Sequence, residues 1–236
     1  MNTFDSSIVH FLNGFSRKSE NFDTVVAFIV ENDFIKGGIL FSVFWFFWFQ
    51  RGSPDQLLQN RRRIIAGLIS CIFAVFVGRL LALTLPYRTR PVFNDNLHFE
   101  RPYDFASYGL DSWSSFPSDH AVMFFALATA IFLISKKIGI FAYLYVAALV
   151  CFPRIYLGFH YPTDILVGAV IGILITLLIS LRKISDPVSS KVLQLAGRFP
   201  GLFYGFLFLL SFQICTMFYE TRIILSVLIK LIRGTL

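Results

Sequence analysis

The sequence predicts an all-α, polytopic membrane bundle, and three observations carry that prediction. Apolar residues fall in blocks of 15–22, long enough as helices to approach or cross a bilayer core. Phenylalanine alone, at 29 residues, outnumbers the 21 lysines and arginines, and mean hydropathy is +0.68. That balance excludes a disordered chain, a secreted disulfide scaffold and an ordinary soluble domain. Cations gather in the short connections of one side.

Taken in order, residues 1–33 are interrupted by Arg17, Lys18, Glu20, Asn21 and Asp23, which predicts an interfacial or re-entrant helical pair rather than a span. Clear spans are expected at 34–50, 64–86, 118–135, 138–157 and 165–181, with a sixth at 201–219 ending on an interfacial aromatic, Tyr219. The terminal ETRIILSVLIKLIRGTL, 220–236, spaces its cations along an apolar helix and reads as interfacial again. About six transmembrane helices in one membrane domain covering 1–236 follow, since no repeat, linker or low-complexity tract divides the chain.

Connections 51–63, 136–137 and 182–198 hold ten Lys and Arg, whereas loop 87–117 holds three. The ten are expected on the cytoplasmic side, which places loop 87–117 and the turn 157–163 together on the outer side. The net charge of +7 is then a consequence of topology. Nucleic acid is not expected as a partner, because the cations lie between apolar blocks and form no basic stripe. Cys71, Cys151 and Cys215 each sit in an apolar block without metal or disulfide spacing. The N-terminus lacks the pattern of a removable signal peptide.

Chemistry concentrates on the outer side. Arg79 lies about 10 Å below the outer end of its helix by helix rise, and the next helix begins with Ser118, Asp119 and His120. The following pair brings in Arg154, then His160 and Asp164. Five ionisable side chains of both signs at one depth cost roughly 2.5–3.5 kcal/mol each at a helix centre, so they call for a reason. Arg88 and Arg90, bracketed by Pro86 and Pro91, add forked donors that suit phosphate, and the free N–H groups of the helix starting at Ser118 point to the same place. With one imidazole as nucleophile, a second as acid and a carboxylate orienting the first, the set fits phosphoryl transfer.

The stretches R-T-R-P (88–91), F-P-S-D-H (116–120) and R-I-Y-L-G-F-H-Y-P-T-D (154–164) resemble the three signature motifs of the type 2 phosphatidic acid phosphatase family of membrane lipid phosphatases, which shares its site with vanadium haloperoxidases. The resemblance covers roughly 60–182. It implies that His160 is the nucleophile forming a phosphohistidine, Asp164 its partner and His120 the general acid. It further implies that Arg90, Arg154, Ser118 and the backbone at Asp119 hold the phosphate.

Three departures stand out. Leu83 occupies the position of the first motif's lysine, so the missing cation is sought in Arg79, one turn below, or in Arg88. Asp119 stands where many members have glycine, a variant resembling the bacterial branch that acts on undecaprenyl diphosphate; beside a phosphate it must cap its helix or pair with an arginine. Pro153 replaces a serine that often precedes the third motif's arginine.

The resulting expectation is an integral membrane hydrolase acting on a lipid phosphate drawn sideways from the bilayer, with undecaprenyl diphosphate preferred. Phosphatidic acid, phosphatidylglycerol phosphate and lipid A phosphate fit the same site, and transfer to another lipid can replace hydrolysis. The resemblance and the small size point to a bacterial inner membrane, with the site facing outward. No cofactor or metal is expected, since arginines can take a metal's place on the equatorial oxygens. The competing class is a carrier that binds a phosphate headgroup without cleaving it. Loop 87–117, with Phe93, Phe99, Tyr103, Phe105, Tyr108 and Trp113 among Asp95, Glu100, Arg101, Asp104 and Asp111, reads either as a headgroup-selecting lid or as a plain interfacial loop. Oligomeric state is not encoded in any feature of the sequence.

Overall fold

The computed structural model describes residues 2–105 and 113–233. Every regular element among them is helical: α1 (Thr3–Asn13), α2 (Glu20–Glu31), α3 (Ile39–Phe49), α4 (Pro54–Thr84), α5 (Asp119–Ile134), α6 (Lys136–Tyr145), α7 (Phe152–Tyr156), α8 (Pro162–Ile179), α9 (Arg182–Arg198), α10 (Pro200–Cys215) and α11 (Tyr219–Arg233). Two π-helical segments, Phe34–Gly38 and Val146–Cys151, lead into α3 and join α6 to α7, and two 3-10 turns follow α4. Tyr108 and Asp111 of the expected lid, and residues 234–236 of the terminal segment, lie outside the described residues.

Three helices are long and apolar enough to cross a membrane: α4, the run Lys136–Tyr156, and α8. α10 and α11 pass that test together but bend by 89° between them, and Phe34–Phe49 and α5 are apolar but shorter. The six apolar blocks read from the sequence all fall on helices, but three of these helices, or four if the bent pair is one span, are long and apolar enough to cross, and α11 corresponds to the terminal segment expected to be separate and interfacial. Other differences lie at the ends of the six. α4 begins ten residues before the apolar block, because Ser53 caps it, accepting from the Gln56 N–H at 3.3 Å, and Pro54 fits its first turn. Residues 182–198, read as a connection, form the amphipathic helix α9, which lies against α4 and α10.

α5 is the hub, packed against α4, α6 and α8 with Ala121–Phe124 and Ala126–Ile131 buried. Its approach to α8 rests on Gly168 and Gly172, one turn apart. A Cβ at Gly172 would sit 2.1 Å from the Val122 carbonyl oxygen, and one at Gly168 would sit 2.7 Å from that of Ser118. Small residues at i and i+4 let the two backbones meet, as helix pairs in lipid require. Farther along, Thr176 near the end of α8 donates to the Ala126 carbonyl at 3.1 Å. The start of α5 is held against the start of α8 by the close approach at Gly168.

The second π segment has a local cause. Pro153 offers no N–H and its ring would collide with the carbonyl four residues back, so the helix widens over Val146–Cys151 just before it. The distortion delivers Arg154 to the bundle interior. Helices α1 and α2 cover the end of the bundle where α7 and α8 meet. The described part of loop 87–117 is fastened to them: Asn13 and Ser16 bind Glu100, Arg17 Nε donates to the Arg101 carbonyl at 2.9 Å, and Asp23 accepts from the Tyr103 N–H at 3.0 Å.

Candidate active site

Each polar side chain of the site reaches it from a helix end or a turn. The Arg90–Pro91 segment leaves α4 and is tied to the turn before α8 by the Val92 N–H, which donates to the Gly158 carbonyl at 3.0 Å. The Ser115 N–H donates to the Arg88 carbonyl at 2.9 Å, and the Ser118 N–H to that of Asp164 at 3.2 Å. Three stretches distant in sequence are thereby laced together by backbone bonds.

His160 is buried, and Nδ1 lies 2.8 Å from the Ser115 carbonyl oxygen. A carbonyl only accepts, so Nδ1 carries the proton and Nε2 keeps its lone pair. Nε2 faces Arg90 Nη1 at 3.4 Å. Burial, with the Arg90 charge adding to it, holds the imidazole below the usual histidine range despite the opposing carboxylate of Asp164. Asp164 Oδ2 stands 3.8 Å from Nδ1, beyond hydrogen-bond reach, and accepts instead from the Tyr161 N–H at 2.8 Å, closing the first turn of α8.

Arg90 is nearly buried. Its Nη1 donates to the Phe159 carbonyl at 2.7 Å and its Nη2 to that of Ser114 at 3.4 Å, and burial lowers its pKa from the ordinary value. Arg154 is buried as well, with Nη1 on the Val150 carbonyl at 2.6 Å. Ser118 caps α5, its Oγ accepting from the Ala121 N–H at 3.4 Å.

Asp119 both pairs with an arginine and orients a histidine. Oδ2 pairs with Arg79 Nη2 at 2.7 Å, and Oδ1 accepts from His120 Nδ1 at 2.8 Å. Its charge also acts on Arg90, Arg154 and His160. His120 therefore belongs to the same electrostatic cluster as His160, with its Nδ1 committed to Asp119. Arg79 stacks over Trp113 at 5.0 Å, while Leu83, in the lysine's place, is exposed at the periphery.

Arg88 is committed to two carboxylates. Nη1 donates to Asp164 Oδ1 at 2.5 Å and to Thr163 Oγ1 at 2.9 Å, Nη2 pairs with Asp5 Oδ2 at 2.6 Å, and the guanidinium lies over the Tyr161 ring at 4.1 Å.

Three residues escaped sequence reasoning. Asp5, fully buried, bridges Arg88 and Thr163, accepting from the Thr163 N–H at 2.9 Å and from its hydroxyl at 2.7 Å. Nothing local signals this, since an acid in the first turn of α1 reads as ordinary helix chemistry. Lys36, in the first π segment, is buried beside Asp33 at 2.7 Å, and its charge acts on both Arg154 and His120. An ammonium inside an apolar block was the available signal. Ser115 is wholly buried, and its Oγ has no hydrogen-bond partner. Among the described residues no group of three or more His, Cys, Asp or Glu is arranged to hold a metal ion.

Known proteins resemble the chain over about 70% of its length. The chain is 29% identical over 173 residues to a Bacillus licheniformis protein named bacitracin transport permease protein BcrC, covering 72% of this chain and 75% of that one. It is 26% identical to undecaprenyl-diphosphatase BcrC of Bacillus subtilis, with 70% and 76% covered. It is 27% identical to lipid A 1-diphosphate synthase of Escherichia coli, with 73% of each chain covered. The family model described as the PAP2 superfamily matches residues 63–183, more than half of the sequence and all three motifs, and the chain belongs to that superfamily.

Proposed function

We propose that this membrane lipid phosphatase cleaves the terminal phosphate from a polyprenyl diphosphate, undecaprenyl diphosphate in a bacterial inner membrane, at a site facing the outer leaflet. The observation that carries the mechanism is the state of His160: Nδ1–H is held by a carbonyl, and Nε2 is unprotonated beside a guanidinium.

Nε2 attacks the terminal phosphorus, forming an N–P bond as the P–O bond to the lipid phosphate breaks. When it carries a second proton, His120, with Nδ1 on Asp119, gives its Nε2 proton to the leaving oxygen. Neutral His120 then takes a proton from water, whose oxygen attacks phosphorus and breaks the N–P bond, releasing inorganic phosphate and restoring both histidines. Arg90 and Arg154 supply the charge that stabilises the equatorial oxygens, with the hydroxyl of Ser115 and the first turn of α5 as neutral donors. Lys36 takes the place of the absent motif lysine. Arg79 and Arg88 hold the carboxylates, so their part is to position Asp119 and Asp164.

A diphosphate is favoured over a monophosphate by the three buried cations Lys36, Arg90 and Arg154, which together can meet the charge of two phosphate groups. The likeness to lipid A 1-diphosphate synthase supports a second reading, in which a lipid phosphate replaces water in the second step. Purified protein in detergent with a chelator, given undecaprenyl diphosphate, is expected to release inorganic phosphate, and stopped reactions should contain acid-labile phosphohistidine. His160→Ala should lose both while still binding substrate. Turnover unchanged in that variant would reject the mechanism, and binding without cleavage by the wild type would establish a carrier.

A further inference from the structure

Only two buried side-chain polar atoms among the described residues lack a hydrogen-bond partner. One is Ser115 Oγ, beside the histidines. The other is Arg62 Nε, near the opposite end of the bundle: Arg62 and Arg79 are separated by 17 residues of α4, about 25 Å by helix rise.

Arg62 lines a cavity of about 310 Å³ where α4, the end of α5 and the junction of α8 with α9 meet. Arg63 and Arg182 bring two more guanidiniums, Ser180 and Ser185 bring hydroxyls, and Asp186 is the single acid. The lining therefore carries a net charge of +2. The cavity also sits at the start of α9, where the free N–H groups of a 17-residue helix favour an anion. Arg62 is poorly used by the protein, reaching Asp186 at only 3.8 Å and the Ser190 hydroxyl at 3.4 Å. Leu133 and Ala66 complete the wall, and Leu181 next to it is exposed at the periphery, so the mouth opens beside apolar surface of the kind that faces acyl chains.

Guanidiniums, hydroxyls and helix N–H groups around an unfilled space are the donor set of a phosphate site. We propose that this cavity is a second lipid site, separate from the histidines, which binds the phosphodiester headgroup of an anionic phospholipid from the leaflet opposite the catalytic one. Basic pockets between spanning helices take such headgroups elsewhere. The charge bias of the connections puts this end on the cytoplasmic side, where the lipid is drawn from the inner leaflet. The chemistry is shared with free phosphate, but the position at the level of a bilayer interface favours the lipid.

Native mass spectrometry of the full chain in detergent, titrated with phosphatidylglycerol, phosphatidylcholine or inorganic phosphate, tests it. The wild type is expected to hold one phosphatidylglycerol that the Arg62→Gln, Arg182→Gln double variant binds about tenfold more weakly, and that His160→Ala leaves in place. Phosphatidylcholine should bind less well, and millimolar inorganic phosphate should not displace the lipid. Asp186→Asn removes the one negative charge and should tighten binding, a gain that misfolding cannot imitate. Phosphate release from the lipid diphosphate in detergent should be unchanged in the double variant. Equal phosphatidylglycerol binding in wild type and double variant, or no gain in Asp186→Asn, overturns the site. Displacement by inorganic phosphate overturns the lipid as its occupant.

Discussion

Asp5 allows a demanding test, because it lies outside every motif and touches no reacting atom. Its carboxylate accepts from Arg88 at 2.6 Å and from the Thr163 hydroxyl and N–H at 2.7 and 2.9 Å. Asp5→Asn keeps an acceptor for the Thr163 N–H but removes the charge and sets an amide against donors. Breaking a fully buried ion pair costs about 3–5 kcal/mol and an exposed one about 0–1 kcal/mol. Asp5 is buried while the Arg88 side chain is 26% exposed, so a loss of about 2 kcal/mol in stability is expected. The catalytic consequence is separable. Arg88 is balanced between two carboxylates, and without Asp5 it draws more strongly on Asp164, which must stabilise the cation forming on His160. A weakening of about 1.4 kcal/mol in that stabilisation lowers kcat about tenfold, with KM nearly unchanged since Asp5 meets no substrate.

The assay is phosphate release from the lipid diphosphate, fitted for kcat and KM, alongside thermal unfolding in the same detergent. A lower Tm with kcat intact would show that α1 is structural only. A rise in KM with kcat intact would mean that Arg88 holds phosphate after all, and would refute the reasoning.

Lys36→Met should raise KM for a diphosphate about tenfold or more and for a monophosphate much less, with Lys36→Arg retaining most of the affinity; equal effects on both substrates would remove Lys36 from the second phosphate. Asp119→Asn should depress kcat by 10²-fold or so, within the usual span for general-acid catalysis, because His120 loses the carboxylate that stabilises its protonated form; Arg79→Gln should give a smaller loss of the same kind. The pH profile of kcat/KM carries a sign. His160 must be unprotonated to attack and burial holds its pKa down, so the acid limb should lie below pH ~6.5, and Arg90→Gln, by removing a neighbouring cation, should move it upward. In Gly172→Ala the new Cβ meets the Val122 carbonyl, so α5 and α8 must part; loss of turnover with a drop of about 1–3 kcal/mol in stability is expected, and a wild-type Tm would show that the helices do not meet there.

What could be read from the sequence, and what could not, divides along a physical line. The apolar helices were legible because a bilayer imposes one polarity on any helix that enters it, although only three of the described ones, or four with the bent pair, are long and apolar enough to cross. The local settings of Ser118, Arg154 and Asp164 were legible because a capping serine, a proline-interrupted helix and a first-turn aspartate leave their spacing in the chain. The outer boundaries were harder. Ser53-Pro54-Asp55 is a helix start by capping chemistry, but the polar residues after it fail an apolar test, so 54–63 read as a connection, and α9 was hidden the same way.

The charge pairings were the least legible, and the reason is instructive. Leu83 leaves a cation missing, and the sequence offered Arg79 and Arg88 because both are close along the chain. In the structure each is already matched to a carboxylate, Arg79 to Asp119 and Arg88 to Asp5 and Asp164. A part-buried guanidinium takes its carboxylate wherever the fold brings one, and one of the two partners of Arg88 comes from a helix 83 residues away. The same accounting identifies Lys36: its ammonium is buried with only a part-exposed aspartate to offset it, among the charges of Arg154 and His120. Positive charge gathered in this way is relieved when a polyanion enters, and on that ground we propose Lys36, paired with Asp33 yet acting on Arg154 and His120, for the place of the motif lysine.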